Sequence, residues 1–155
     1  MELGDRVEPS PFWGFGFRAL YRTLAWLDPV LRQWWLGFGL GNVVQVTIVG
    51  RRTGRSRETL LGLLMADGQW YLGHPNGSAH WTDNLDAAGG RLRLTWPGQT
   101  FVTFQAVSLP RGPERDRAIL ATGQHPFPGN LIYRLARRHV RAVGRYYRLE
   151  LDATE

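Results

Sequence analysis

Short strand patterns that follow one another closely constrain the fold of this chain most. Val44, Val46 and Ile48 alternate with polar residues, as in a strand that buries one face. Similar patterns follow at 59–65, 70–73, 91–96, 99–108 and 143–151, and Asp67-Gly68 predicts a hairpin turn between two of them. Most of these links are too short for the crossover helix that joins parallel strands, so a doubly wound sheet is disfavoured. The pattern predicts antiparallel pairing.

Helical patterns precede and follow the strands. From Phe12 to Phe38, apolar residues recur every three or four positions, and Asp28-Pro29 interrupts them. That pair is typical of a helix start, so we expect two N-terminal helices at 14–27 and 29–37, with no regular structure over residues 1–11. Further helices are predicted from Ser78 to Ala88, at 113–122 and at 130–139. A single α+β domain, mainly β, therefore spans residues 1–155, with helices at 12–38 and a small barrel of about six strands at 42–151.

The residue types that are missing exclude several kinds of chemistry. The chain has no cysteine, which excludes disulfides, thiolate catalysis and cysteine-bound metals. The four histidines match no common zinc spacing, so no metal site is predicted. Glu2 and Asp5 stand where a secretory signal carries positive charge, and no run of 18 apolar residues occurs. We expect a cytoplasmic protein, with a peripheral position on the inner face of the membrane left open.

The net charge of +6 comes from arginine alone, because the sequence contains no lysine. A pI near 10.7 is compatible with nucleic acid, an anionic membrane or a small polyanionic ligand. Nucleic acid is supported by charge alone, so no specific nucleic-acid binding is predicted. The N-terminal helices combine tryptophan and arginine, which suits a membrane interface, packing on the barrel or contact with a partner subunit in a homodimer.

Between the first two strands, residues 50–57 read G-R-R-T-G-R-S-R, with four arginines in eight residues. We call this segment the arginine turn. Like charges this close repel each other, and a polyanionic ligand would relieve the repulsion. Glycine lets backbone N–H groups approach such a ligand, and arginine binds phosphate or carboxylate with two parallel hydrogen bonds. The alternative is a solvated hairpin tip. No lysine and no helix follow, so the segment is not a Walker A loop.

The arginine turn and the later segment W-T-D-N-L, Trp81 to Leu85, together resemble the deazaflavin-dependent nitroreductase and quinone reductase family of actinobacteria. The resemblance covers roughly residues 41–108. It implies a split β-barrel that binds the 8-hydroxy-5-deazaflavin coenzyme F-420. In this chain it would assign the phosphate and glutamate tail of the coenzyme to Arg51, Arg52, Thr53, Gly54 and Arg57. Trp81 and Asn84 would line the same groove.

Gly62 and Asn76 are among the positions that depart from the family pattern. Gly62 stands where some members carry an aromatic residue near the reacting ring, and Asn76 stands where others have lysine. His74, in the same loop as Asn76, is expected to face the ring of the cofactor, so both residues join the predicted cofactor site. FMN is the alternative cofactor.

The resemblance implies an oxidoreductase that passes hydride to a small electron acceptor, namely a quinone, an activated alkene or a nitro compound. The coenzyme would carry the chemistry, so no catalytic side chain is predicted. Phe127 and Tyr133 are expected to line the site of an apolar substrate. The alternative function is a non-catalytic carrier of a lipid, haem or flavin on the same barrel.

Overall fold

A computed structural model describes residues 9–27, 30, 42–77 and 79–152 of the chain. The first eight residues and most of the predicted second N-terminal helix at 29–37 lie outside the described residues, as does Ser78, where a helix was predicted to begin.

Seven antiparallel strands form one curled half-barrel sheet in the described part of the chain, in the order β2-β1-β5-β6-β7-β4-β3. The strands are β1 (Val43–Val49), β2 (Ser56–Gly62), β3 (Leu64–Ala66), β4 (Gln69–His74), β5 (Arg91–Thr95), β6 (Val102–Ser108) and β7 (Arg145–Leu151). The predicted α+β class, mainly β, is confirmed. Short connections join the pairs β1–β2, β3–β4 and β5–β6, whereas β6 and β7 pair although residues 109–144 separate them.

Alternation along β1 places Val44, Val46 and Ile48 on one buried face, as predicted. These side chains meet Leu94 and Phe104 from neighbouring strands in the core enclosed by the sheet. The Asp67-Gly68 turn is also confirmed. Both residues have positive φ, 51° and 72°, as the favoured two-residue hairpin turn requires.

The predicted strand at 59–65 is in fact two strands, β2 and β3, that meet at Leu63. Asn42 causes the break, because its carbonyl accepts the Leu63 N–H at 2.8 Å and its Nδ2 donates to the Leu63 carbonyl at 3.0 Å. The first bond continues the register in which Val43 pairs with Gly62, whereas in the second bond the Asn42 side chain binds the Leu63 carbonyl. A second boundary also differs from the prediction: His74 ends strand β4 and does not lie in the following loop.

Five α-helices lie in the described part of the chain. They are α1 (Pro11–Trp26), α2 (His80–Ala87), α3 (Pro113–Leu120), α4 (Gly129–Leu135) and α5 (Arg137–Val143), with a 3-10 turn, Ala121–Gln124, after α3. Helix α1 begins earlier than predicted, because Ser10 caps it and Pro11 is its first residue. The predicted helix at 130–139 is two helices that meet at Ala136.

A second core lies outside the half-barrel, between the outer face of β4 and β7 and the helices. Phe17 of α1, Ile119 of α3 and Val140 of α5 pack there against Tyr146 of β7. Helix α1 therefore packs on the barrel through Phe17, one of the alternatives considered for the N-terminal helices.

Arg115 of α3 fixes the C-terminal end of α5. Its side chain is only 5% exposed and donates to the carbonyls of Arg141 at 3.0 Å, Val140 at 3.3 Å and Gly144 at 2.7 Å. A cation at this end of a helix satisfies carbonyls that have no partner within the helix and complements the helix dipole.

Candidate cofactor site

The arginine turn is closed by its own backbone. The Gly50 N–H donates to the Arg55 carbonyl at 2.8 Å, and the Gly54 N–H donates to the Gly50 carbonyl at 2.9 Å. Gly54 has φ of 67°, a conformation that residues with a side chain rarely adopt. Thr53 Oγ1 accepts the Arg55 N–H at 3.3 Å. The turn therefore has a defined shape from which its arginine side chains project.

Arg51 attaches this turn to helix α2. Its backbone N–H and its Nη1 both donate to Asn84 Oδ1, at 3.2 and 2.8 Å. Nη1 also lies 3.5 Å from the His80 carbonyl, and Nη2 lies 3.8 Å from the Asp83 carboxylate. Asn84 is 9% exposed, and its amide oxygen is used to hold the turn. The structure thus joins the two motifs that the sequence placed 33 residues apart.

The other three arginines of the turn have different surroundings. Arg52, Arg55 and Arg57 are exposed, and within the described ranges their guanidinium groups have no hydrogen-bond or ion-pair partner. Three cations on one ordered turn produce a local positive potential that attracts an anion.

Trp81 lies one helical turn before Asn84, so the two side chains share a face of α2. The Trp81 indole is half-buried against the barrel core, 6.0 Å from the Tyr147 ring and 6.3 Å from the His74 ring. Its Nε1 is buried and has no hydrogen-bond partner among the described residues. A buried donor without a partner is costly, and a ligand oxygen or an ordered water would satisfy it.

His74 is 7% exposed and stands between Trp81 and the Tyr21 ring of α1, which is 4.8 Å away. Its Nδ1 accepts the Asn76 N–H at 3.2 Å. Burial lowers the pKa of His74 to about 4, so the ring is neutral at physiological pH.

Asn76 holds helix α1 with both ends of its side-chain amide. Its Nδ2 donates to the Gly14 carbonyl at 3.2 Å, and its Oδ1 is 2.8 Å from His139 Nε2. His139 Nδ1 in turn accepts the Ser10 N–H at 3.0 Å, so the His139 proton lies on Nε2. A role for Asn76 in cofactor binding stays a prediction, but its amide is already bonded to protein groups.

The two predicted substrate residues have different environments. Phe127 is 77% exposed. Tyr133 is half-buried, and its hydroxyl lies 3.2 Å from that of Tyr21. Burial raises the pKa of both tyrosines, so both phenols stay protonated at neutral pH.

His125 is a residue that the sequence reasoning missed. Its ring lies 4.9 Å from that of Tyr133 and stands directly over Gly62, where an added Cβ would be 2.2 Å from His125 Cε1. The signal was present in the sequence as a glycine within a strand pattern, which often marks the close approach of another group. Five rings thus follow one another from α2 to the end of β2, and we call them the aromatic wall: Trp81, His74, Tyr21, Tyr133 and His125.

Two further features of the described residues bear on function. They include no group of three or more histidine, aspartate or glutamate side chains arranged to hold a metal ion. None of the helices in residues 9–27 or 79–152 has both the length and the apolar character needed to cross a bilayer.

No protein-family model and no curated protein matches this sequence. Solved structures do resemble it. An F-420-H2 dependent reductase (FDR-A) superposes with a TM-score of 0.52 at 18% identity, over 70% of this chain and 94% of the other. A domain-swapped dimer gives a TM-score of 0.54 at 15% identity, over 85% and 99%. A conserved hypothetical protein from Mycobacterium tuberculosis gives 0.51 at 16%, over 71% and 72%.

The fold is a split β-barrel. The likeness to the reductase confirms the predicted fold, and at these identities it shows the fold alone. In this split barrel, the arginine turn lies at the end of β1, and α2 connects it to the aromatic wall.

The bonds between Asn84 and Arg51 lead to a stability prediction. We expect Asn84→Ala to lower the free energy of unfolding by about 1–2 kcal/mol, because two hydrogen bonds to a buried oxygen are lost. Amide exchange should rise selectively in residues 50–57, as measured by mass spectrometry. Asp83→Asn on the same helix is the control, since its ion pairs with Arg51 at 3.8 Å and with Arg145 at 3.9 Å are long and partly exposed. Equal exchange in both variants would contradict the role assigned to Asn84.

Proposed function

We propose that the protein is a reductase that binds the reduced deazaflavin coenzyme F-420 and transfers hydride to a quinone, an activated alkene or a nitro compound. The observation that carries the proposal is a set of three arginines on a turn fixed to α2, Arg52, Arg55 and Arg57, whose guanidinium groups have no partner among the described residues. The likeness to a reductase that uses the same coenzyme supports it.

The residues fit the chemistry of this coenzyme. Phosphate and glutamate carboxylates on its tail would bind Arg52 and Arg57 through charge-assisted hydrogen bonds, with Thr53 and Gly54 shaping the turn. Arg51 would position the turn through Asn84. Trp81 Nε1, which has no partner among the described residues, provides a buried donor on the helix that holds this turn, and an oxygen of the ring system would satisfy it.

When bound, the reduced coenzyme supplies two electrons and one proton as hydride, and a second proton completes the reduction of a quinone to the hydroquinone. The protein would hold the reactants at the aromatic wall and exclude water there. The acceptor would lie beside Tyr133 and Phe127. Neutral His74 adds no charge to this surface, which suits an apolar acceptor.

Substitution of two arginines tests the binding of the tail. We expect Arg52→Gln together with Arg57→Gln to weaken F-420 binding at least about tenfold, because two charge-assisted contacts are lost. Titration with F-420 and with FMN, followed by tryptophan fluorescence, measures the affinities. Arg137→Gln with Arg138→Gln is the matched control, since it removes the same charge from exposed sites on α5. If both double variants bind F-420 as tightly as the parent, the proposed tail site is wrong.

Turnover separates the reductase from the alternative, a carrier of a lipid, haem or flavin. A reductase oxidises reduced F-420 in the presence of menadione, and a carrier does not. A cytoplasmic location, a homodimer and a peripheral membrane contact stay proposals. For the last two, the relevant surface is the outer side of α1, where Phe12, Phe15 and Trp26 are exposed.

A further inference from the structure

His125 and Gly62 form a matched pair. The His125 imidazole occupies the space that a side chain at residue 62 would need, with Cε1 at 2.2 Å and Nδ1 at 2.5 Å from an added Cβ. Since real Cβ atoms never approach so closely, the ring can lie on β2 only because residue 62 is glycine. His125, which follows the 3-10 turn, thus places a half-buried imidazole at the end of the aromatic wall.

Asn42 fixes which nitrogen of this imidazole carries the proton. Asn42 Nδ2 donates to the Leu63 carbonyl, which sets the orientation of the amide, and it lies 3.4 Å from His125 Nδ1. An amide N–H only donates, so Nδ1 must accept. Burial lowers the pKa of His125, which favours the neutral ring with its proton on Nε2. Nε2 has no partner in the part of the chain that the structure describes.

The His125 ring lies beside the two residues proposed to line the site of the acceptor. The His125 ring contacts Tyr133 at 4.9 Å, and Phe127 follows two residues later. We propose that His125 is a specificity-determining residue, whose Nε2–H donates a hydrogen bond to an oxygen of the electron acceptor. This inference rests on the proposed function and assigns to the acceptor a carbonyl or nitro oxygen.

Such a bond strengthens during the reaction. When hydride adds to the acceptor, the electron pair it brings places negative charge on the conjugated oxygen, and a donor at that oxygen stabilises the charge. His125 keeps its own proton throughout. The proton that completes the reduction comes from the reduced coenzyme or from water, so the balance of one hydride and one proton is unchanged.

Two substitutions of His125 separate hydrogen bonding from packing. His125→Phe keeps a ring against Gly62 and Tyr133 but has no N–H, whereas His125→Gln keeps an N–H near the place of Nε2 but has no ring. We expect His125→Phe to lower kcat/KM for menadione about fivefold to tenfold with the F-420 affinity unchanged, and His125→Gln to recover most of the loss.

A readout without the coenzyme separates this inference from the proposed function. Equilibrium dialysis measures the affinity of the protein for menadione and for 2-methylnaphthalene, which has the same skeleton without oxygens. His125→Phe should weaken menadione binding about threefold and leave 2-methylnaphthalene binding unchanged. A failure of F-420 to bind would refute the reductase but would not alter this comparison.

Gly62→Ala tests the same contact from the opposite side, because the new methyl group must displace the His125 ring. We expect it to weaken menadione binding as His125→Phe does, with no further loss in the double variant. Gly123→Ala is the control, since nothing lies within 4 Å of its added Cβ. The inference is overturned if His125→Phe binds both ligands as the parent does. It is also overturned if menadione affinity depends on a ring at residue 125 and not on the N–H, so that His125→Phe binds menadione better than His125→Gln does.

Discussion

Replacing Arg115 by methionine is expected to lower the free energy of unfolding by about 3 kcal/mol. The guanidinium donates to three main-chain carbonyls at the end of α5, and methionine fills similar space without a donor. Removing the buried charge recovers some desolvation energy. The loss is larger, because several carbonyls at the end of a helix are left without partners.

Urea denaturation followed by tryptophan fluorescence measures this change. Arg117→Met, on the same helix, is the matched control. The ion pair between Arg117 and Asp67 spans 3.3 Å, but the side chains are 51% and 78% exposed, so its loss should change stability by no more than about 0.5 kcal/mol. Similar midpoints for the two variants would show that Arg115 does not hold the end of α5.

The parts of the fold that depend on neighbours in the sequence could be predicted. Alternation in β1 and the turn at Asp67-Gly68 are local signals, and both are confirmed. The break at Leu63 could not be predicted, since it depends on Asn42, which is 21 residues away. Local propensity alone favours one continuous strand there, and a distant amide overrides it.

The candidate site also has features that the sequence reveals and features that depend on the folded structure. A cluster of arginines is visible in the sequence, whereas the use of Arg51 to hold Asn84 depends on how α2 packs against β1. The pairing of His125 with Gly62 depends on the placement of a turn 63 residues later in the chain. Two side chains that meet only after folding each leave a weak signal in the sequence. In this pair the signal was Gly62, a glycine within a strand pattern.

Acid is expected to destabilise the protein through His74. Its pKa is about 4 in the folded state and 6.5 when exposed, so the unfolded state binds more protons between these values. The stability that depends on a neutral His74 is fully present above pH 6.5 and is lost as the pH falls towards 4. The loss attributable to His74 is about 2 kcal/mol by pH 5, before most carboxylates titrate.

The free energy of unfolding, measured in urea between pH 7.5 and pH 5, should show this slope. In His74→Asn the slope should be smaller, because asparagine keeps an acceptor near the place of Nδ1 for the Asn76 N–H but does not titrate. Some slope will remain, since burial also lowers the pKa of His125 and of His139. His80→Asn, at an exposed histidine six residues away, is the control substitution. If His74→Asn retains the full slope, the neutral ring between Trp81 and Tyr21 is not what makes the protein sensitive to acid.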